Sequence, residues 1–72
     1  MDNIRFFLFN DLDQLFITKR DLKKNYPNLT VLDNKDTLVL SVGINPSVTY
    51  EKRICAFIKN MGGVPIPNNL GT

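Results

Sequence analysis

One arrangement of segments occurs twice in this sequence: two short apolar runs around a polar turn, followed by a segment with helix-start and helix-end signals. The first copy comprises the apolar runs 4–9 and 14–17 and the segment 18–26; the second comprises the runs 29–32 and 37–42 and the segment 45–61. Short apolar runs bounded by turn residues are typical of strands. The sequence therefore predicts a strand, strand, helix unit that is used two times.

This doubled unit predicts the fold class. We expect a single α+β domain over residues 1–63, with a four-stranded, mainly antiparallel sheet and two helices on one face, in the order ββαββα. Residues 64–72 form a Pro-containing extended tail in this prediction, because each proline fixes its own φ and disfavours helix at the residue before it. Prolines donate no backbone hydrogen bond, so the tail is expected to lie at a sheet edge or to be loose, with docking in a partner's groove as the alternative.

The segment 12–26 has two interpretations. In the favoured one, residues 14–17 are the second strand of a hairpin, and Thr18 caps a short helix with Asp21 three residues later. In the other, a single helix runs from Leu12 to Tyr26, because apolar positions also recur at spacings of three and four. Periodicity alone does not decide between them over so short a run.

The second half carries clearer signals. A turn over residues 33–36 separates two strand-like runs and predicts a hairpin. Asn45 followed by Pro46 is typical of a helix start, and Gly62-Gly63 of a helix end. Between them an apolar stripe at helical spacing is expected to face the sheet; it consists of Tyr50, Ile54, Phe57, Ile58 and Met61.

The residue types present argue against catalysis. Hydrophobic residues make up 43% and charged residues 22% of the chain, which is the ordinary globular range. Histidine is absent, which removes the commonest general base and transition-metal ligand. Cys55, the one cysteine, lies mid-helix beside the apolar stripe and is interpreted as a packing residue. We expect a non-catalytic protein without a cofactor.

The single cysteine and the short N-terminal apolar run bear on localisation. One cysteine cannot form a disulfide within the chain, whereas secreted chains of this length usually need several. Phe6 to Phe9 are only four consecutive apolar residues, too few for a signal peptide or a membrane span. A cytoplasmic protein without a membrane partner is expected.

Four aspartates in the two turns could suggest a hard-cation site; they are Asp11, Asp13, Asp33 and Asp36. In the predicted strand order the two turns lie at opposite ends of the sheet, so these carboxylates would not converge. Turns also select aspartate for their own backbone geometry. No metal site is therefore predicted.

The first strand suggests a binding surface. Arg5, Phe7 and Phe9 share one of its faces because side chains alternate along a strand. If the helices leave that face bare, its aromatic rings become anchors for a partner. A basic cluster on the first helix would steer the chain toward an acidic or nucleic-acid-binding protein; it consists of Lys19, Arg20, Lys23 and Lys24.

Protein association is accordingly the first functional hypothesis. The chain is expected to be an inhibitor or adaptor of a larger protein, such as a phage-type regulator of a host enzyme, or a subunit that associates with itself. No small-molecule substrate is expected, because no acid–base pair can be placed. The alternative is nucleic-acid binding through basic helix faces that add Lys52, Arg53 and Lys59 to the first-helix cluster.

Overall fold

The computed structural model describes residues 3–44 and 51–67 of the chain. In chain order its elements are the strand β1 (Asn3–Leu8), the helix α1 (Leu12–Asn25), the strands β2 (Thr30–Asn34) and β3 (Val39–Ile44), the helix α2 (Glu51–Asn60) and the strand β4 (Val64–Ile66). The α+β class, the antiparallel sheet of four strands and the number of helices agree with the prediction.

The four strands form one antiparallel sheet in the order β2-β3-β1-β4. Both β1 and β2 run antiparallel to β3, so they are parallel to each other with β3 inserted between them. The same holds for β3 and β4 around β1. This is the split βαβ arrangement found in ferredoxin-like folds. The described chain measures 31 × 31 × 17 Å, a disc of one sheet layer and one helix layer.

The first hairpin of the prediction is not formed, and residues 14–17 belong to α1. Asp11 is the N-cap of this helix, and its side chain accepts a hydrogen bond of 2.8 Å from the Gln14 backbone amide. Thr18, expected as a cap, is fully buried in mid-helix, where its hydroxyl donates to the Gln14 carbonyl at 2.7 Å. The element order is therefore βαββαβ, and the fourth strand comes from the C-terminal segment.

The second hairpin is confirmed, with its turn moved two residues along the chain. Asn34 closes the turn, since its side-chain oxygen accepts hydrogen bonds from the backbone amides of Asp36 and Thr37. Leu38 has a positive φ of 59°. Its carbonyl accepts a 2.9 Å bond from the Phe9 amide, which ties the turn to the end of β1.

The predicted end of α2 is also confirmed. Gly62 has a φ of 99°, in the left-handed region that favours glycine. The amides of Gly62 and Gly63 donate to the carbonyls of Lys59 and Ile58, the paired bonds of a Schellman motif. The Gln14 side-chain amide adds a 2.6 Å bond to the Met61 carbonyl and so joins α1 to this helix end. Asn45, Pro46 and Tyr50, expected at the start of the helix, lie outside the described residues.

The expected position of the tail at a sheet edge is confirmed for its first residues. Val64–Ile66 pairs with β1, with Phe6 opposite Ile66 and Leu8 opposite Val64. Pro65 fits there because it has no amide hydrogen and the outer side of an edge strand needs none. Residues 68–72 lie outside the described part of the chain.

The core lies between the sheet and the two helices. Its fully buried side chains come from both layers: Phe7, Leu15, Thr18, Leu22, Leu40, Val42, Ile44, Ile54 and Ile58. The strands β1, β2 and β3 contribute residues to this core from one side only, so the intervening residues point to the opposite side of the sheet. The helices pack on one face only, and the other face is the surface described next.

Candidate interaction surface

The sheet has one face that no helix covers, which we call the open face. The strand register places its residues in three rows: Leu32, Ser41, Phe6 and Ile66; Asn34, Val39, Leu8 and Val64; and Thr30, Gly43 and Ile4. On β1, β2 and β3 these positions alternate with the residues that point toward the helices. The open face thus spans all four strands.

The open face is apolar and uncharged. Leu32 is 64% exposed, Val64 55% and Ile4 51%, and Leu8 is also exposed. None of its eleven residues carries a charge. From these exposures, its apolar side chains present on the order of 500 Å² to solvent, at the upper end of the patches found on monomeric proteins. The largest apolar patch on a monomeric protein is often a functional surface.

A shallow apolar groove of about 290 Å³ lies in the open face. Gly43 has no side chain, which leaves a depression between the neighbouring strands. Ile4 and Phe6 border it on one side, and Thr30 and Leu32 on the other. The face therefore combines a hollow with a strongly exposed side chain, Leu32, beside it.

The open face is not the one predicted from the sequence. Phe7 and Phe9 are 1% and 2% exposed and lie in the core beneath the helices, so their expected placement on the bare face is wrong. They do share a side of the sheet, as expected. The exposed aromatic of β1 is Phe6, which is partly exposed on the open face.

Arg5 also lies on the helix side of the sheet, at the edge of the core. Its side chain reaches α2, where Nε and Nη2 lie 2.9 and 2.8 Å from Glu51 Oε2. This ion pair connects the central strand β1 to α2. Arg5 therefore lies away from the open face, although it is partly exposed.

The predicted basic residues lie on the helices, on the side opposite the open face. Lys19 pairs with Asp33 of β2, and this hydrogen bond lowers the pKa of the Asp33 carboxyl. Arg20 lies 3.4 Å from Asp21. The other cations are exposed and have no ion pair within the described part of the chain: Lys23, Lys24, Lys52, Arg53 and Lys59.

A second groove, of about 690 Å³, lies between α2 and β4. Arg5 and Glu51 neutralise each other along it, while Lys52 and Lys59 form its rim. Cys55 also lines this groove, and burial, followed by the nearby Glu51 carboxylate, raises the pKa of its thiol. A raised pKa disfavours the reactive thiolate. The side chains of this groove form no acid–base or nucleophile–base pair.

The four turn aspartates are arranged differently from the prediction. Because β1 and β2 run parallel, their C-terminal ends, and the two aspartate-bearing turns, lie at the same end of the sheet. Asp11 caps α1 and Asp33 pairs with Lys19, so both carboxylates have partners. Within residues 3–44 and 51–67, no group of three potential metal-ligating residues forms.

Comparisons with protein-family models, curated proteins and solved structures give no match for this chain. Among the described residues, neither helix is long and apolar enough to cross a membrane.

The sequence does contain a signal for the open face. Ile4, Phe6 and Leu8 alternate with Arg5 and Phe7, so two apolar sets were visible on β1. In the second strand, Leu32 likewise alternates with Val31 and Asp33, which places Leu32 on the opposite face from both of them. What the sequence did not provide was the choice of which set the helices cover.

Proposed function

We propose that this chain is a small non-catalytic protein-binding module whose binding surface is the open face. It works by association, as an inhibitor or adaptor of a larger protein or as a self-associating subunit. The observation that carries the proposal is an uncharged apolar surface across all four strands of a sheet whose other face is already covered.

The separation of charge supports the same proposal. The charged side chains of the described residues lie on the helices, in the turns and on the helix side of the edge and central strands. Strands with one solvated face normally alternate apolar residues toward the core with polar residues toward water, whereas Leu32 and Val64 stand more than half exposed without a charged neighbour on the same face. Covering such a face with protein removes this apolar area from water.

The proposal predicts site-specific crosslinking to a partner. A photoreactive residue placed at position 32, on the open face, should give a discrete covalent adduct in the cells that express this chain. The same residue at Lys24, which is exposed on the opposite side, should not. Mass spectrometry of the adduct identifies the protein attached.

A matched substitution serves as the control. Leu32→Lys should abolish an adduct formed from a neighbouring position such as Thr30, while Leu12→Lys, the same change at an exposed α1 residue, should leave it intact. Adducts that form from position 24 and not from position 32 would overturn the assignment of the open face.

Nucleic-acid binding is the second candidate function, because exposed cations occur on both helices. If these residues contact phosphates, wild-type chain should bind mixed-sequence DNA or RNA at low salt. The affinity should fall steeply with salt, by a slope of about −0.9 per contact on duplex DNA. The double variant Lys23→Glu/Lys24→Glu should lose this binding, and Leu32→Lys should retain it. Fluorescence anisotropy at two salt concentrations measures both, and absence of binding at low salt excludes this function.

A further inference from the structure

We infer that the occupant of the open face is a second copy of this chain, packed face to face about a twofold axis. This inference rests on the proposed function, since it names the partner of the same surface. The complex would be a sandwich of two sheets with the helices on its two outer sides. Sheets that pack in this way lie about 10 Å apart with their strands aligned within about 30°.

The area of the open face is suited to such a pair. Its eleven residues together expose on the order of 700 Å², close to the ~800 Å² that each partner contributes to a standard interface. The pair would therefore bury an area of the standard class without further segments. A face of this size on a chain with 4998 Å² of accessible surface is a substantial fraction of the molecule.

The open face has both a projecting side chain and a groove, so two copies of it can fit together. A twofold interface uses the same patch on both partners, so it needs projections and hollows within that patch. Leu32, the most exposed apolar residue, projects beside the groove over Gly43. In a twofold pair, Leu32 of each copy can enter the groove of the other, where Ile4 and Phe6 form the opposite wall.

Electrostatics favours this geometry over an edge-to-edge pair. Face-to-face packing apposes two uncharged surfaces and places the basic helices on the outer sides, separated by several layers of about 10 Å each. That distance exceeds the Debye length of about 8 Å at physiological salt. Pairing through the edge strand β2 would instead bring α1 near its copy, with Lys23 and Lys24 exposed on each helix.

Sedimentation velocity over a wide concentration range tests the inference. Wild-type chain should shift from 8.2 kDa toward twice that mass as its concentration rises. Leu32→Lys should weaken the dimer by a factor of about 100 or more, because each pair would bury two unpaired lysines. Ile4→Lys, a second open-face variant, should act likewise, whereas Leu12→Lys should dimerise as wild type does. Circular dichroism checks that each variant is folded.

A second measurement uses only the wild-type protein. In a mixed sample of isotope-labelled and unlabelled chains, filtered NOE spectra should connect Leu32 methyl groups of one copy with Ile4 or Phe6 of the other. A dimer lost in Leu12→Lys and kept in Leu32→Lys would overturn the face-to-face geometry. If the chain stayed monomeric at all concentrations, the inference that a second copy covers the open face would be wrong. In that case a crosslink from position 32 to a foreign protein would still support the proposed function. If no such crosslink formed either, both the dimer and the proposed function would be wrong.

Discussion

Replacing Phe7 with alanine is expected to lower the free energy of unfolding by about 3–5 kcal/mol, the usual cost of removing a buried phenyl ring. Phe7 is 1% exposed and lies in the centre of the core, opposite Leu40 of β3. At about 0.05–0.15 kcal/mol per residue, a chain of this length has a total stability of only about 4–11 kcal/mol. The variant should therefore lose a large share of the total stability, and it will be partly unfolded at room temperature if the wild-type value lies near about 4 kcal/mol. Urea denaturation followed by circular dichroism measures the loss.

Phe6→Ala is the matched control, since it removes the same ring one residue earlier. Phe6 points to the open face and is partly exposed, so its loss should cost less than about 1.5 kcal/mol. The comparison requires a concentration at which the chain is monomeric, because dimer formation would add stability through Phe6. Equal destabilisation by the two changes would contradict the assignment of the two faces.

The two aromatic residues illustrate how far the sequence determines the fold. Alternation along β1 separated Arg5, Phe7 and Phe9 from Ile4, Phe6 and Leu8, and the structure retains that separation. Which set is covered depends on the side to which α1 returns after β1, a tertiary property that a strand apolar on both faces does not encode locally. The open face was therefore expected to exist but was assigned to the wrong residues.

The prediction of a strand at residues 14–17 was wrong for a different reason. Its apolar residues fit a short strand and one side of a helix equally well, so periodicity did not discriminate. The local signal that did discriminate was Asp11 with Gln14 three residues later, a capping pair with glutamine in the usual position. Thr18 competed as a cap in the sequence, but its hydroxyl can bond within a helix and so remain buried.

The basic residues were easier to place than the apolar ones. Lys23, Lys24, Lys52 and Arg53 are exposed on helices, as expected, because long charged side chains are rarely buried without a partner. Lys19 is the exception, and its partner Asp33 comes from a strand distant in sequence. Such a pairing depends on α1 crossing over β2, which no local pattern indicates.

Gly63→Ala is expected to destabilise the protein by about 2–3 kcal/mol, in the upper part of the range for overpacking. A Cβ at this position would lie 2.6 Å from Ile58 Cγ2, 2.9 Å from Phe9 Cζ and 3.1 Å from the Ile58 carbonyl oxygen. The Gly63 amide also closes the end of α2 by its bond to that carbonyl, so the backbone has little freedom to move away. Thermal and urea unfolding at a concentration where the chain is monomeric measure the change. Gly43→Ala is the control, since its Cβ would meet Thr30 Cβ at an ordinary 3.5 Å.

A double-mutant cycle with Phe9→Leu identifies the cause. Leucine lacks the distal ring carbon Cζ that the new methyl group would meet, so part of the cost of Gly63→Ala should disappear in that background. We expect a coupling free energy of about 1 kcal/mol, within the range for residues in contact. Full additivity would instead place the strain in the Ile58 side chain and carbonyl. If Gly63→Ala and Gly43→Ala were equally harmless, the close packing of α2, β1 and the start of β4 would be incorrect. That packing fixes β4 beside β1, and β4 completes the open face with Val64 and Ile66.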